Sequence, residues 1–142
     1  MEEQITIGRL AESEVSEAIA LWEVCNLTRP WNDPHADAEF ALRGSSSTIL
    51  AARQGGTLVG TAMVGHDGHR GAVYYVGVLP DRQKLGIGAL LMAAAESWLH
   101  DRGVPKLNVM VRTDNLSARG FYEELGYEHS EVIVISKRLD GR

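Results

Sequence analysis

The chain has 142 residues, 44% of them apolar, with one cysteine and a formal net charge of -5, which is material for one ordinary domain with a sizeable core. A single cysteine excludes an internal disulfide and any zinc site built from several thiolates, and acids and bases interspersed under a net negative charge argue against nucleic acid as the main ligand. The apolar-plus-glycine stretch Ile87 to Ala95, closed by Glu96 and preceded within three residues by Lys84, falls far short of the roughly 20 residues needed to cross a bilayer, and MEEQITIGRL lacks the basic-then-apolar order of a secretory signal, so the expected address is the cytoplasm, with no membrane partner.

Ile5 to Leu10 reads as a first strand. Val15, Ala18, Ile19 and Trp22 then recur at helical spacing behind Ser13, a candidate N-cap, which predicts a first helix. Cys25, alone at the end of that apolar stretch, reads as buried filler rather than a nucleophile. In RPWNDPHADAEFAL, Asp33 is a cap candidate and Pro34 stands at the first helical position, predicting a second helix from Pro34 to about Leu42. TILAA and TLVGTAMVG, split by RQGG, and GAVYYVGVL, split off by HDGHRG, predict an antiparallel meander. Ile87, Leu90, Leu91, Ala94, Ala95 and Trp98 mark the apolar face of a third helix that Gly103 ends. KLNVMV supplies another strand, NLSARGFYEEL a helix stopped by Gly126, and EVIVISK a last strand. Strand, helix, strand from Ala72 to Val111 requires a right-handed parallel crossover, so the sheet is mixed, antiparallel first and parallel near its middle.

The turn before the third helix, QKLGIG, carries the chemistry. A helix that begins at a glycine-bearing turn presents free backbone amides and the positive end of its dipole, which suits a phosphate. Gly86 and Gly88 would allow positive φ there and admit a bulky anion without a Cβ in the way. A plain strand-to-helix turn with glycines for sterics explains an isolated G-x-G equally well. A Walker A loop fails, because Gly88 is followed by Ala89 and Leu90 with no lysine. A dinucleotide fingerprint lacks its third glycine, replaced by Leu91. Asp114 imitates the ribose-binding acid, but an antiparallel first half does not suit a doubly wound sheet; an oxidoreductase fragment stays open only as an alternative.

Gln83 to Gly88 resembles the Q/R-x-x-G-x-G/A signature of the GNAT superfamily, the Gcn5-related N-acetyltransferases, and VGVLP resembles that family's strand 4. NLSARGFYEELGY resembles the family's later N-x-x-A-x-x-x-Y-x-x-x-G-[FY] segment, with Asn115, Ala118, Tyr122, Gly126 and Tyr127 in place. The order of predicted elements agrees over nearly the whole chain. More narrowly, RPWNDP and GHDGHRGAVYYVGV resemble the YpeA-type bacterial branch. The resemblance implies an α/β (α+β) GNAT fold in one domain, residues 1–142: a single mixed, mostly antiparallel sheet with a parallel central βαβ unit and helices on both faces.

It also implies acetyl transfer from acetyl-CoA, a cosubstrate, to a primary amine of a small molecule or a protein, with no metal. Under that resemblance the pyrophosphate rests on the turn Gln83, Lys84, Leu85, Gly86, Ile87, Gly88 and Ala89, chiefly on the amides from Lys84 onward. CoA is anionic and the chain net negative, so these local amides must outweigh the overall field, which screening beyond about 8 Å allows. Val76, Gly77 and Val78 would offer a strand edge to the pantetheine arm and a backbone amide to the oxyanion, Gly77 in VYYVGV being suited to a bulge or close approach. Asn115 would cap the last helix and reach the cofactor arm, with capping alone an equal reading. Tyr122 would protonate the departing thiolate, or else simply pack its helix. For the base the candidates are Asp33, Asp67, His69 or water, each also readable as a turn residue. Trp31 with Asp33 suits a cationic amine, or else a core tryptophan and a cap. A non-catalytic acyl-CoA sensor is the competing function. An exposed final strand would pair with a second subunit, giving a homodimer.

Overall fold

A computed structural model describes residues 4–141. The chain falls into two compact units, one ending at Val109 and the other beginning at Met110. The larger contains strand β1 (Ile5–Arg9), helices α1 (Val15–Val24) and α2 (Pro34–Arg43), strands β2 (Ser47–Gln54), β3 (Thr57–His66) and β4 (Gly71–Val78), helix α3 (Ile87–His100) and strand β5 (Leu107–Val109). The sheet order is β1-β2-β3-β4-β5. Its first three pairings are antiparallel, as the short glycine turns require, and β4 runs parallel to β5.

Consecutive residues of a strand point to opposite faces, and β3 shows what covers each. The Thr61 hydroxyl accepts from Trp22 Nε1 of α1 at 2.8 Å. A Cβ placed on its neighbour Gly60 would instead lie 3.0 Å from Leu91 Cδ1 of α3. Helices α1 and α3 therefore cover opposite faces, and Gly60 is small because α3 lies close. One core layer joins Trp22, Leu21 and Ala18 to Ala38, Leu42 and Ile49. The other is the apolar stripe of α3, where Ile87, Leu91, Met92, Ala95 and Leu99 are buried.

The start of α1 differs from expectation. Ser13 lies in a 3-10 turn, Glu12–Glu14, and does not cap the helix. The Glu14 carboxylate accepts from the Ala11 N–H at 2.9 Å and pairs with Arg53 of β2. Glu14 stands at the N-cap of α1 without capping it, its carboxylate being turned to a partner 39 residues along the chain. The Arg53 hydrogen bond is also the main cause holding the Glu14 carboxyl below its ordinary value.

The smaller unit contains helix α4 (Leu116–Glu124). The expected last strand, EVIVISK, is not formed: residues 131–137 carry no ladder, and Ile133 and Ile135 are 84% and 87% exposed. β-branched residues favour the extended chain, but a strand also needs partner backbone groups, and among the described residues none pair with this run. The three-residue β5 consequently ends the sheet, so the parallel pair lies at its edge rather than its centre.

Candidate active site

The register between β3 and β4 slips once. Thr61 opposes Gly77 and Met63 opposes Tyr74, so Ala62 alone faces both Tyr75 and Val76. That is a β-bulge, and Tyr75 takes φ 50 within it, a left-handed conformation costing about 1–3 kcal/mol for a residue with a side chain. The parallel pairing stops before the bulge: β5 pairs only with Gly71, Ala72 and Val73. From Tyr74 to Val78, then, β4 has a ladder on its β3 side alone within this unit. Val76, Gly77 and Val78 lie past the last β4–β5 pair.

Two details of that stretch bear on the sequence reading: Gly77 does sit at a close approach, while Cys25 has a different role. Gly77 is small because a Cβ there would come 2.8 Å from Leu27 Cδ1 and 3.4 Å from Cys25 Sγ; the close neighbour is the segment after α1. Cys25 is half-buried and donates to the Val78 carbonyl at 3.3 Å, so it is a fastening for β4 rather than filler. Burial pushes its thiol up, away from a nucleophilic thiolate. Gln83 Nε2 donates to the same carbonyl at 3.2 Å, which uses both of its lone pairs.

From there the chain passes through a 3-10 turn, Pro80–Arg82, into α3. Two residues of the connection are left-handed, Lys84 at φ 67 and Gly86 at φ 80. Gly88 is not one of them; it lies in the first turn of α3, so the second left-handed position falls to lysine. Gly86 is the N-cap, and no side chain caps the helix. The first bond of α3 runs from the Leu90 N–H to the Gly86 carbonyl at 3.1 Å, so the amides of Ile87, Gly88 and Ala89 precede the helical ladder. Gln83, Lys84, Leu85 and Gly86 are exposed, and a Cβ on Gly86 would meet nothing within 4 Å. Arg82 is tied down by Gln54 Oε1 at 3.0 Å and Asp81 at 2.9 Å. The turn is thus an open, uncapped helix start whose positive end can take an anion.

The acid and base candidates are dispersed. Asp67 Oδ1 accepts from the His69 and Arg70 N–H groups, both at 2.8 Å, and these bonds, Arg70's first, hold its carboxyl below the usual range. It locks the β3–β4 hairpin as an Asx turn. Five residues of strand separate Gly71 from Val76, on the order of 16 Å, so Asp67 and His69 stand at the far end of β4 from the bulge. Asp33 Oδ1 caps α2 by accepting from the Ala36 N–H at 3.1 Å, ahead of Pro34. Replacing Asp33 with alanine is expected to cost about 1 kcal/mol of stability in urea unfolding while leaving turnover per folded molecule unchanged; a loss of turnover would return Asp33 to the reaction.

Spacing gave no sign of a cluster around the bulge. Tyr75 stacks on Trp22 with ring centroids 4.0 Å apart, and its hydroxyl donates to Asp37 Oδ2 of α2 at 2.7 Å. In the smaller unit, Asn115 caps α4 by accepting from the Ala118 N–H at 3.1 Å. The Tyr122 ring meets Phe121 at 4.9 Å and Tyr127 at 5.7 Å, and burial pushes its phenol up to about 12. Gly126, at φ 94, ends the helix and lets the Tyr127 N–H reach the Tyr122 carbonyl at 3.0 Å.

Comparison with known proteins agrees with this architecture. The sequence profile of the Acetyltransferase (GNAT) family matches residues 16–127. Proteins named acetyltransferase from Yersinia pestis and Yersinia enterocolitica are each 47% identical over 128 residues, covering 90% of this chain and 91% of theirs. An aminoglycoside N-acetyltransferase solved in complex with CoA superposes with a TM-score of 0.84 at 17% identity, covering 96% of each chain. A ribosomal-protein-alanine N-acetyltransferase from Brucella melitensis superposes with a TM-score of 0.77 at 22% identity, covering 95% of this chain and 100% of the other. With a bulged strand leading into an uncapped helix, and with the family profile and 47%-identical relatives matching most of its length, this protein is a member of the GNAT family of acetyltransferases.

Proposed function

We propose that the chain acts as a single GNAT domain that transfers the acetyl group of acetyl-CoA to a primary amine by direct attack. The family profile runs from residue 16 to 127 and so draws on both units, which supports reading them as one domain. The observation that carries the proposal is the helix start at Gly86: two left-handed residues, no capping side chain and an exposed face, reached from β4 through one 3-10 turn. The amides from Lys84 to Ala89 would receive the pyrophosphate, with Gln83 fastening the turn to Val78. Val76 and Gly77 would lie along the pantetheine arm, and a bulge amide would donate to the thioester oxygen as it gains charge. Val78 would contribute through its N–H, its carbonyl being engaged.

In the reaction, the neutral amine forms a bond to the thioester carbon, the C–S bond breaks, and the amine proton passes to water or a base. Tyr122 would serve the sulfur as general acid, and Asn115, besides capping α4, would reach the cofactor arm. A primary amine is the acceptor class we favour because related folds act on aminoglycosides and on a protein alanine. RPWNDP and GHDGHRGAVYYVGV support the YpeA-type branch, and the exposed apolar run Val132 to Ile135 supports pairing with a second copy. The test is a panel of small amines, aminoglycosides and N-terminal peptides incubated with acetyl-CoA, following release of free thiol. Acceptor-dependent thiol release is the expected result. Tight acetyl-CoA binding with no turnover on any amine would favour the sensor.

A further inference from the structure

A bulky residue holds a left-handed conformation only when its surroundings over-determine it, and Tyr75 is held at three points. Its carbonyl accepts from Thr61 Oγ1 at 2.8 Å. That hydroxyl in turn accepts from Trp22 Nε1 at 2.8 Å, so its one proton and its acceptor are both committed, in a place where Thr61 and Trp22 are fully buried. The Tyr75 ring lies nearly parallel to Trp22, at 16°. The third point is the hydroxyl, which donates to Asp37 Oδ2 at 2.7 Å. Burial first, and then that hydrogen bond, raise the phenol well above its ordinary value, which keeps the proton on Tyr75 and the bond directed toward Asp37.

The residue so clamped is the first of the bulge, immediately before Val76 and Gly77. Its φ sets the direction of the peptide groups that follow. Trp22 and Thr61 belong to the core and would be present in any well-packed version of this layer. Asp37 is different: it is half-buried in the first turn of α2, outside the apolar core cluster, and its carboxylate accepts from Tyr75.

We propose that Asp37 is a positioning residue which, through the Tyr75 hydroxyl, fixes the β4 bulge in the orientation that aims its backbone donor at the thioester oxygen. The proposal rests on the reading of the bulge as the acyl site. Asp37 fastens α2 to β4, so a movement of α2 on acceptor binding would be felt at the donor.

The test uses the full-length protein with acetyl-CoA carrying a 13C carbonyl, reading the thioester stretch by difference infrared spectroscopy beside steady-state kinetics. In the wild type the carbonyl band of the bound thioester should shift to lower frequency. Asp37→Ala and Tyr75→Phe should each reduce that shift and lower kcat about fivefold, the rate equivalent of one hydrogen bond, with KM for acetyl-CoA changed less than about twofold. Asp37→Asn, whose amide oxygen still accepts from Tyr75, should recover most of both losses. A shift that survives Asp37→Ala, or an Asp37→Asn protein as slow as the alanine variant, overturns the positioning role and leaves the acyl site standing. No shift in the wild-type complex overturns the acyl site itself, and this proposal with it. Should Tyr75→Phe fail to fold, the Asp37 pair alone decides, because Asp37 lies outside the apolar core.

Discussion

Gly86→Val is expected to weaken acetyl-CoA binding about thirtyfold, equivalent to about 2 kcal/mol, because a β-branched residue pays strain of that order in the left-handed region. Gly86 sits at φ 80, and a Cβ there meets nothing within 4 Å. The penalty is therefore conformational and owes nothing to a clash. Gln83 anchors the start of the turn on Val78, but Gly86 itself is exposed with open space around it, so valine can relax toward negative φ at small cost to the fold. Relaxation turns the amides at the head of α3 away from their common focus, and a diphosphate must pull them back on binding. The strain then appears in the Kd for acetyl-CoA, measured calorimetrically, and hardly in the unfolding midpoint. Gly86→Ala, which carries one methyl and no branch, should lose about fivefold. An unchanged Kd in Gly86→Val would remove the pyrophosphate from this turn and with it the proposed use of the amides from Lys84 to Ala89.

Local signals decided what the sequence revealed. Asp33 with Pro34 marked the start of α2 because a cap and a proline act within one turn, and the three-four spacing from Ile87 to Trp98 gave α3, although its buried stripe takes in Met92 and Leu99 and leaves Leu90 exposed. The hairpins were legible for the same reason, their turns being built from residues a few positions apart. What escaped was set by distant partners. Glu14, not Ser13, stands at the head of α1, and its carboxylate pairs with the distant Arg53 instead of capping the helix. The bulge was suggested by Gly77, yet its left-handed residue is Tyr75, two positions earlier. No propensity argument places tyrosine there, since its conformation depends on Thr61, Trp22 and Asp37. The turn before α3 was legible as a glycine motif, while its second left-handed residue proved to be Lys84 instead of Gly88. EVIVISK erred the other way: strong strand propensity in Val132 to Ile135 counts for little without a ladder to join.

Tyr122→Phe should leave acetyl-CoA binding intact and lower kcat at least tenfold, with general acid catalysis worth on the order of a hundredfold as the upper expectation. Phenylalanine keeps the ring that packs on Phe121 and Tyr127, so only the hydroxyl is lost, and a cofactor titration separates binding from turnover. The phenol, pushed by burial up to about 12, is a poor proton donor to a thiolate whose conjugate acid has a pKa of about 8.5, and complete transfer would be uphill by roughly 5 kcal/mol. Its contribution must come from a hydrogen bond that strengthens as charge collects on sulfur, an interaction made mainly in the transition state and therefore visible in kcat rather than KM. The same shift sets the pH dependence. The phenol stays protonated through the neutral and mildly alkaline range, so the wild-type kcat should show no descending limb owed to Tyr122 below about pH 11. Any ascending limb, from deprotonation of the amine or its base, should persist unchanged in the variant. A Tyr122→Phe protein that turns over at the wild-type rate would reduce this tyrosine to a packing residue of α4, and the leaving thiolate would then need another donor.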